Sequence, residues 1–186
     1  MAANGAGAAR AGRATEVGCS ECRPETIVSM GFCGALDPEL KIGAIFVATQ
    51  IVGRDSFPVQ PLKSAGPHAS GTLASIDHVA RTSAEKAALA ATGAAVVEME
   101  AAGVAVHACA RGIAFHCVRS ITDLADQNFV LDFNMALRSD GHFATINLLK
   151  SAFENPRKAL PELFRLWRSS LVATRTLGEF IAGCRF

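Results

Sequence analysis

Short apolar runs alternate with stretches of helical periodicity along most of the chain. Strands are predicted at 26–30, 43–51, 71–76, 94–99 and 114–121. Helices are predicted at 8–17, 82–91, 100–110, 143–153 and 161–182, with a Gly- and Pro-rich loop at 53–70. Strands that alternate with helices in this way are typical of βαβ units, so we expect one α/β domain over residues 1–186.

Composition narrows the class of protein further. Half of the 186 residues are apolar and the net charge is +1, which suits a packed core and excludes general disorder. Eighteen basic residues are offset by 17 acidic ones, which argues against a nucleic-acid surface. The uncharged run 42–53 is too short to span a membrane, which takes about 20 residues. Six scattered cysteines and the lack of a secretory signal favour a cytoplasmic protein with reduced thiols.

Acidic residues stand where two predicted strands end. Glu98 and Glu100 close the strand 94–99, and Asp123 follows the strand 114–121. Ligands of open α/β sheets bind beyond the carboxyl ends of strands, where carboxylates can accept hydrogen bonds from a sugar or protonate a leaving group. The alternative is local: Glu100 would cap its helix or sit in its first turn, favoured by the dipole, and Asp123 would cap a turn.

Other polar groups give weaker signals. Gly31–Gly34 follow a strand, where backbone N–H groups can approach an anion or a water molecule, but a tight turn explains the glycines equally simply. Cys19 and Cys22 have zinc-like spacing without a second pair of ligands. His107 and His116 lie in apolar segments typical of hydrogen-bonded core histidines. We therefore predict neither a metal nor a cofactor.

Several segments resemble one enzyme superfamily. Residues 97–103 (VEMEAAG) and 118–126 (VRSITDLAD) resemble the paired signatures of the purine nucleoside phosphorylase and methylthioadenosine/S-adenosylhomocysteine nucleosidase superfamily. Upstream, 31–36 with 40–45 resembles its glycine loop and following strand, and 75–79 its base-pocket segment. These matches cover about 26–126 in the family's order. The C-terminal part, 140–186, resembles the hopanoid-associated phosphorylase branch.

The resemblance implies a fold and an activity. The fold would be a three-layer sandwich around a central mixed, mostly parallel sheet. The activity would be cleavage of the N-glycosidic bond of an adenosine-type purine nucleoside, either by phosphate as a transferase or by water as a hydrolase. The hopanoid-associated branch implies adenosylhopane as the nucleoside. The family also implies no cofactor beyond phosphate as a co-substrate, and a homodimer.

The same resemblance implies roles for three residues. Glu100 would bridge the ribose 2′- and 3′-hydroxyls, and Met99 would pack against the sugar. Asp123 would protonate, or hydrogen-bond to, N7 of the departing purine. These roles fit the chemistry, because cleavage passes through an oxocarbenium-like sugar and leaves charge on the base.

Further residues would surround these three. Glu98 would border the sugar and Val79 the base, while the residues near the incoming nucleophile would be Gly31, Phe32, Cys33 and Gly34. The chain departs from the family pattern at three places. Val79 stands where relatives carry an aromatic residue nearby, Phe32 and Cys33 stand where nucleosidases carry a hydroxyl, and Thr122 replaces a serine.

The N-terminus also departs from the family. Relatives begin with a strand and a loop that precede the equivalent of residues 4–7, so we expect an N-terminally truncated chain without the first strand. Such a loss would expose an apolar sheet edge. The alternative to an active enzyme is therefore a catalytically impaired nucleoside-binding remnant of the same fold.

Overall fold

The computed structural model describes residues 2, 5–63, 66–136 and 156–185. The helices are α1 (Ala8–Cys22), α2 (Ser83–Ala90), α3 (Ala101–Ala110), α4 (Phe133–Ala136) and α5 (Pro156–Ala182). The strands are β1 (Thr26–Ala35), β2 (Ile45–Val52), β3 (Ser56–Pro58), β4 (Ala69–Ser75), β5 (Ala94–Glu98) and β6 (Ala114–Asp123). The predicted helix 143–153 lies outside the described residues.

The six strands form one mixed sheet in the order β3-β2-β4-β5-β1-β6. β2 also pairs with β6, so the sheet curls until its two sides meet. The parallel pairs β1–β6, β2–β4 and β4–β5 contain the longest ladders, while β1–β5, β2–β3 and β2–β6 are antiparallel. The predicted α/β fold with a mixed, mostly parallel sheet is confirmed.

Helices cover both faces of this sheet. Along β2, Phe46 and Ala48 belong to the cluster that includes α3, whereas Ile45 and Val47 contact Phe180 of α5. The alternation follows from the period of two in a strand, which sends neighbouring side chains to opposite faces. α2 packs through Leu89 on the same side as α5. The layers are thus helix, sheet and helix, as expected.

Two glycines allow α1 to lie directly on α3. A Cβ atom at Gly103 would fall 1.8 Å from the Ala8 carbonyl oxygen, and one at Gly12 would fall 2.9 Å from the His107 ring. No larger residue fits at Gly103 without moving the backbone of α1. This contact brings the first turn of α1 next to the start of α3.

The glycine segment 31–34 is strand, which corrects the prediction of a glycine loop or tight turn. β1 continues through it because Gly31 pairs with Arg119 and Gly34 with Asp123 in the ladder with β6. β6 is longer than predicted too, and Asp123 is its last residue rather than a residue after the strand. Backbone pairing with a long parallel neighbour overrides the local preference of glycine for turns.

Other predicted boundaries differ from the structure too, and α1, for example, ends at Cys22 rather than at residue 17. The predicted loop 53–70 contains β3 and the first residues of β4. α5 begins at Pro156 rather than at Pro161, which lies inside it. Pro161 removes one backbone hydrogen bond, but Ala159 and Glu162 on either side of it are buried, so packing holds the helix through the proline.

One edge of β1 is only partly paired. β6 pairs with one edge of β1 along residues 26–34. β5 pairs with the opposite edge, but only at Gly34 and Ala35. Among the described residues no strand pairs with this edge at 26–33. Met30 and Phe32 are 45% and 42% exposed there.

Candidate active site

Asp123 is held on three sides at the end of β6. Its Oδ2 lies 2.5 Å from Nζ of Lys86, and its Oδ1 lies 3.1 Å from the hydroxyl of Thr122. A Cβ atom at Gly34 would fall 2.6 Å from Oδ2, so only glycine leaves room for this carboxylate. The side chain accepts no hydrogen bond from the turn that follows among the described residues, so the alternative that Asp123 caps a turn is wrong.

Lys86 of α2 was missed from the sequence, although a signal was present. Position 86 lies three and four residues before Leu89 and Ala90, on the apolar face of α2. A lysine there is buried, with 1% of its surface exposed, and a buried ammonium needs a partner. Asp123 supplies it, the carbonyl of Leu124 accepts a second hydrogen bond at 2.7 Å, and the Phe129 ring lies 5.3 Å from Nζ.

Glu98 forms a second buried ion pair, with Arg119. Its Oε2 accepts a 2.7 Å hydrogen bond from Arg119, and both side chains are 2% exposed. The same carboxylate accepts the backbone N–H groups of Glu100 and Ala101 at the start of α3. Arg119 in turn donates to the carbonyl and hydroxyl of Ser29 on β1. This pair therefore joins β5, β6 and β1 where β5 and β1 are otherwise unpaired.

Glu100 precedes α3 and reaches towards α1. Its Oε1 accepts a 2.9 Å hydrogen bond from the backbone N–H of Gly7. Burial, and next the negative charge of Glu98, raise the pKa of Glu100 above its usual value. Glu100 stands at the N-cap position of α3, as the local alternative expects, but its side chain makes no capping hydrogen bond, because Glu98 accepts the first amides of the helix. The N–H of Gly7 is a contact that a ligand hydroxyl could replace.

A cavity of about 880 Å³ opens next to Met99, and it is lined by neither Glu100 nor Asp123. Its walls come from the start of α1, the turn after β2, the end of β4 and α3, including Gly7, Gly53, Ser75, Met99 and Gly103. This volume lies within the range of about 300–1,000 Å³ common for small-molecule sites. Met99 connects the cavity to the carboxylates, because it stands between Glu98 and Glu100.

The two predicted acids do not end neighbouring strands. β1 lies between β5 and β6, and β5 runs opposite to both. Gly34 faces Val97 on one side and Asp123 on the other, so the backbones of Val97 and Asp123 are two strand spacings, or about 10 Å, apart. β1 therefore separates the two strands that lead to Glu100 and Asp123.

Hydrogen bonds join the segment around Val79 to the loop 124–132 and to α4. Its backbone N–H and carbonyl both bond to the side-chain amide of Asn134, at 2.7 and 3.1 Å. The backbone N–H of Phe129 donates to the carbonyl of Arg81 at 2.8 Å. The rings of Phe129 and Phe133 meet edge to face, with centroids 5.5 Å apart. Aromatic side chains thus come to this segment from the loop after β6.

The remaining predicted residues lie along β1. Cys33 is buried, and burial raises the pKa of its thiol well above the usual value, so the thiol stays protonated. Phe32 is partly exposed. The space above Gly31 is open except for Nε of Arg119 at 4.0 Å. Within the described part of the chain, no three His, Cys, Asp or Glu side chains form a group that could hold a metal ion.

Comparisons with known proteins give a family and a fold. A search of curated proteins gives no match. A Helicobacter pylori methylthioadenosine nucleosidase mutant with 5′-methylthioadenosine in its active site is similar in structure, with a TM-score of 0.61 and 22% identity over 81% of this chain and 78% of that one. Native futalosine hydrolase from H. pylori matches with a TM-score of 0.60 and 19% identity, over 89% and 77%.

A third structure is the S-adenosylhomocysteine nucleosidase from Streptococcus pyogenes in complex with 5-methylthiotubericidin. It has a TM-score of 0.59 and 18% identity, over 88% of this chain and 76% of that one. The model of the phosphorylase superfamily matches residues 1–72 and 59–150. Because these matches span most of the sequence, the chain belongs to the phosphorylase superfamily.

Proposed function

We propose that the protein cleaves the N-glycosidic bond of an adenosine-type purine nucleoside. The observation that carries the proposal is the buried Lys86–Asp123 pair at the end of β6. When the bond to the sugar breaks, the bonding electrons stay on the purine, which then needs a proton or a hydrogen bond at N7. The pair contains both a proton and a carboxylate that can transfer it.

The proton balance of this step can be followed atom by atom. The Lys86 ammonium gives a proton to Asp123 Oδ2, and the carboxyl group delivers a proton to N7 as the bond to the sugar breaks. Lys86 ends as a neutral amine, and solvent restores its proton after the base has left. Gly34 and Thr122 keep the carboxylate in one position throughout, which limits the motion needed for the transfer.

Glu100 and Met99 are proposed to hold the sugar. The ribose 2′- and 3′-hydroxyls would donate to the Glu100 carboxylate and replace the N–H of Gly7. Met99 would pack against the sugar from the cavity side. A negative carboxylate there also stabilises the positive charge that develops on the sugar ring.

The other predicted residues complete the proposed site. Glu98 borders the sugar through the backbone of residues 99–101, which it fixes, and Val79 borders the base. Phe129 is proposed to supply the aromatic surface that Val79 lacks, because it lies beside Lys86. The nucleophile, either phosphate or water, would approach along the β1 residues Gly31, Phe32, Cys33 and Gly34.

The C-terminal resemblance to the hopanoid-associated branch supports adenosylhopane as the nucleoside, within hopanoid biosynthesis. The same family resemblance supports a homodimer, and the scattered cysteines support a cytoplasmic location. The Helicobacter nucleosidase is described with 5′-methylthioadenosine in its active site, which supports an adenosine compound with a modified 5′ group as the first substrate to test.

The test measures, by chromatography, the release of free adenine from 5′-methylthioadenosine and from adenosine, each with and without phosphate. Asp123→Asn should lower kcat about 10²–10⁴-fold, the usual cost of losing a general acid. Asp126→Asn is the matched control, since Asp126 is exposed and three residues away. Phosphate dependence would identify a phosphorylase. Nucleoside binding without adenine release, unchanged by Asp123→Asn, would reject the proposal in favour of a non-catalytic remnant.

A further inference from the structure

α5 has apolar side chains on two opposite faces. The inner face packs on the sheet through Ala173 and Phe180, which are buried. The outer face carries a stripe that we call the outer stripe, consisting of Leu160, Phe164, Trp167 and Leu171, which are 62%, 57%, 58% and 52% exposed. Their spacing of four, three and four residues places them in one line about 16 Å long.

The outer stripe is a continuous patch of large, exposed apolar side chains. The rings of Phe164 and Trp167 lie 5.7 Å apart, so the stripe is continuous rather than a set of isolated apolar residues. Soluble monomers rarely expose contiguous apolar patches of large side chains, and such patches mark contact surfaces. The outer stripe is therefore a surface on which another molecule binds.

The charges on α5 indicate which occupant. The helix has five basic residues, Arg157, Lys158, Arg165, Arg168 and Arg175, and two acidic ones, Glu162 and Glu179. Glu162 is buried and accepts the backbone N–H groups of residues 130 and 131, while Glu179 pairs with Arg175 at 2.9 Å. Nε and Nη2 of Arg165 are buried, so the exposed cations besides the Arg175–Glu179 pair are Arg157, Lys158 and Arg168. These three make the outward side cationic, although the whole chain has a net charge of only +1.

One cation lies directly beside the outer stripe. The guanidinium of Arg168 is 5.9 Å from the centroid of the Phe164 ring. A second copy of the chain would bring two cationic helices together, which costs energy through like-charge repulsion. An anionic lipid surface instead attracts the basic side chains and accepts the Trp, Phe and Leu side chains at the level of the headgroups.

We propose that α5 binds an anionic phospholipid membrane through the outer stripe and its flanking basic residues. The helix lies in the plane of the membrane surface, and no described helix is long and apolar enough to cross a bilayer. The inference rests on α5 alone, so it stands or falls separately from the proposed reaction.

Vesicle sedimentation with the 186-residue protein tests this proposal. Vesicles of phosphatidylcholine with phosphatidylglycerol should sediment the protein, and vesicles of phosphatidylcholine alone should sediment much less. A variant with Phe164→Ser, Trp167→Ser and Leu171→Ser should bind at least tenfold more weakly. Val17→Ser, a 54% exposed residue of α1, is the matched control and should bind normally. All three changes are on the surface, so a thermal melt should show an intact fold.

A charge variant separates the remaining explanations. Replacing Arg157, Arg168 and Arg175 with alanine should weaken partitioning onto the anionic vesicles on the order of 100-fold. Equal binding of this variant and the original protein would overturn the proposal. Absence of vesicle binding would overturn it as well, and would favour a second copy if light scattering shows a dimer that the serine variant dissociates.

Discussion

Gly34→Ala is the substitution with the most sharply defined effect on the candidate site. The added Cβ would lie 2.6 Å from Oδ2, 3.2 Å from Cγ and 3.3 Å from Oδ1 of Asp123. Ordinary contacts begin near 3.4 Å, so the carboxylate must move by roughly 1 Å. The backbone of Gly34 cannot yield instead, because it pairs with both Val97 and Asp123 in the middle of the sheet.

A displacement of this size affects activity more than stability. Misplacing a catalytic group by about 1 Å can cost on the order of 100-fold in rate, so we expect kcat for adenine release to fall about 10- to 100-fold. Overpacking typically costs about 1–3 kcal/mol of unfolding free energy. In a chain of this length that corresponds to a fall in Tm of roughly 2–12 °C.

The assays are steady-state adenine release and calorimetric melting of the same preparation. Gly18→Ala is the matched control, because a Cβ at Gly18 meets nothing within 4 Å and should leave kcat unchanged. A normal kcat in Gly34→Ala, with a normal Tm, would show that the contact with Asp123 is unimportant. A normal kcat with a lowered Tm would show that the position of this carboxylate does not limit the reaction.

Two further substitutions test the neighbouring groups. Lys86→Met should lower the unfolding free energy by about 3–5 kcal/mol in denaturant titration, because it leaves a buried carboxylate unpaired, and Asp123→Asn in the same chain should restore part of it. No loss in the single variant would contradict the buried pair. Glu100→Gln should raise KM for the nucleoside and make KM independent of pH. In the unmodified protein KM should fall as pH rises through the raised pKa of Glu100, since only the carboxylate accepts from both ribose hydroxyls; a flat KM profile would contradict this.

The fold was largely readable from the sequence, because most strands and helices follow clear hydrophobic patterns. The helix predicted at 82–91, for example, begins at Ser83, and its cap Thr82 accepts the backbone N–H of Glu85. The extension of β1 through Gly31–Gly34 was not readable. It depends on β6, whose pairing residues lie almost 90 positions away in the chain. The preference of glycine for turns gives no information about that distant strand.

The candidate site was readable only in part. Glu98, Glu100 and Asp123 stand out as acids at strand ends, and Lys86 stands out as a lysine on an apolar helix face. The sequence does not show, however, which acids Lys86 and Arg119 pair with. Lys86 is 37 residues from Asp123, and Arg119 is 21 residues from Glu98. The direction of β5 was also hidden, since no local pattern tells a parallel strand from an antiparallel one. Ion pairs and strand directions of this kind are set by tertiary packing.

The most direct test of the central claim uses a substrate altered at one atom. A 7-deaza analogue of the best nucleoside has C–H in place of N7 and cannot take the proton there. If Asp123 protonates N7, the unmodified protein should cleave the analogue about as slowly as the Asp123→Asn variant cleaves the parent nucleoside. The Asp123→Asn substitution should then cause no further fall in kcat with the analogue. Cleavage of the analogue at the rate of the parent nucleoside would contradict the account.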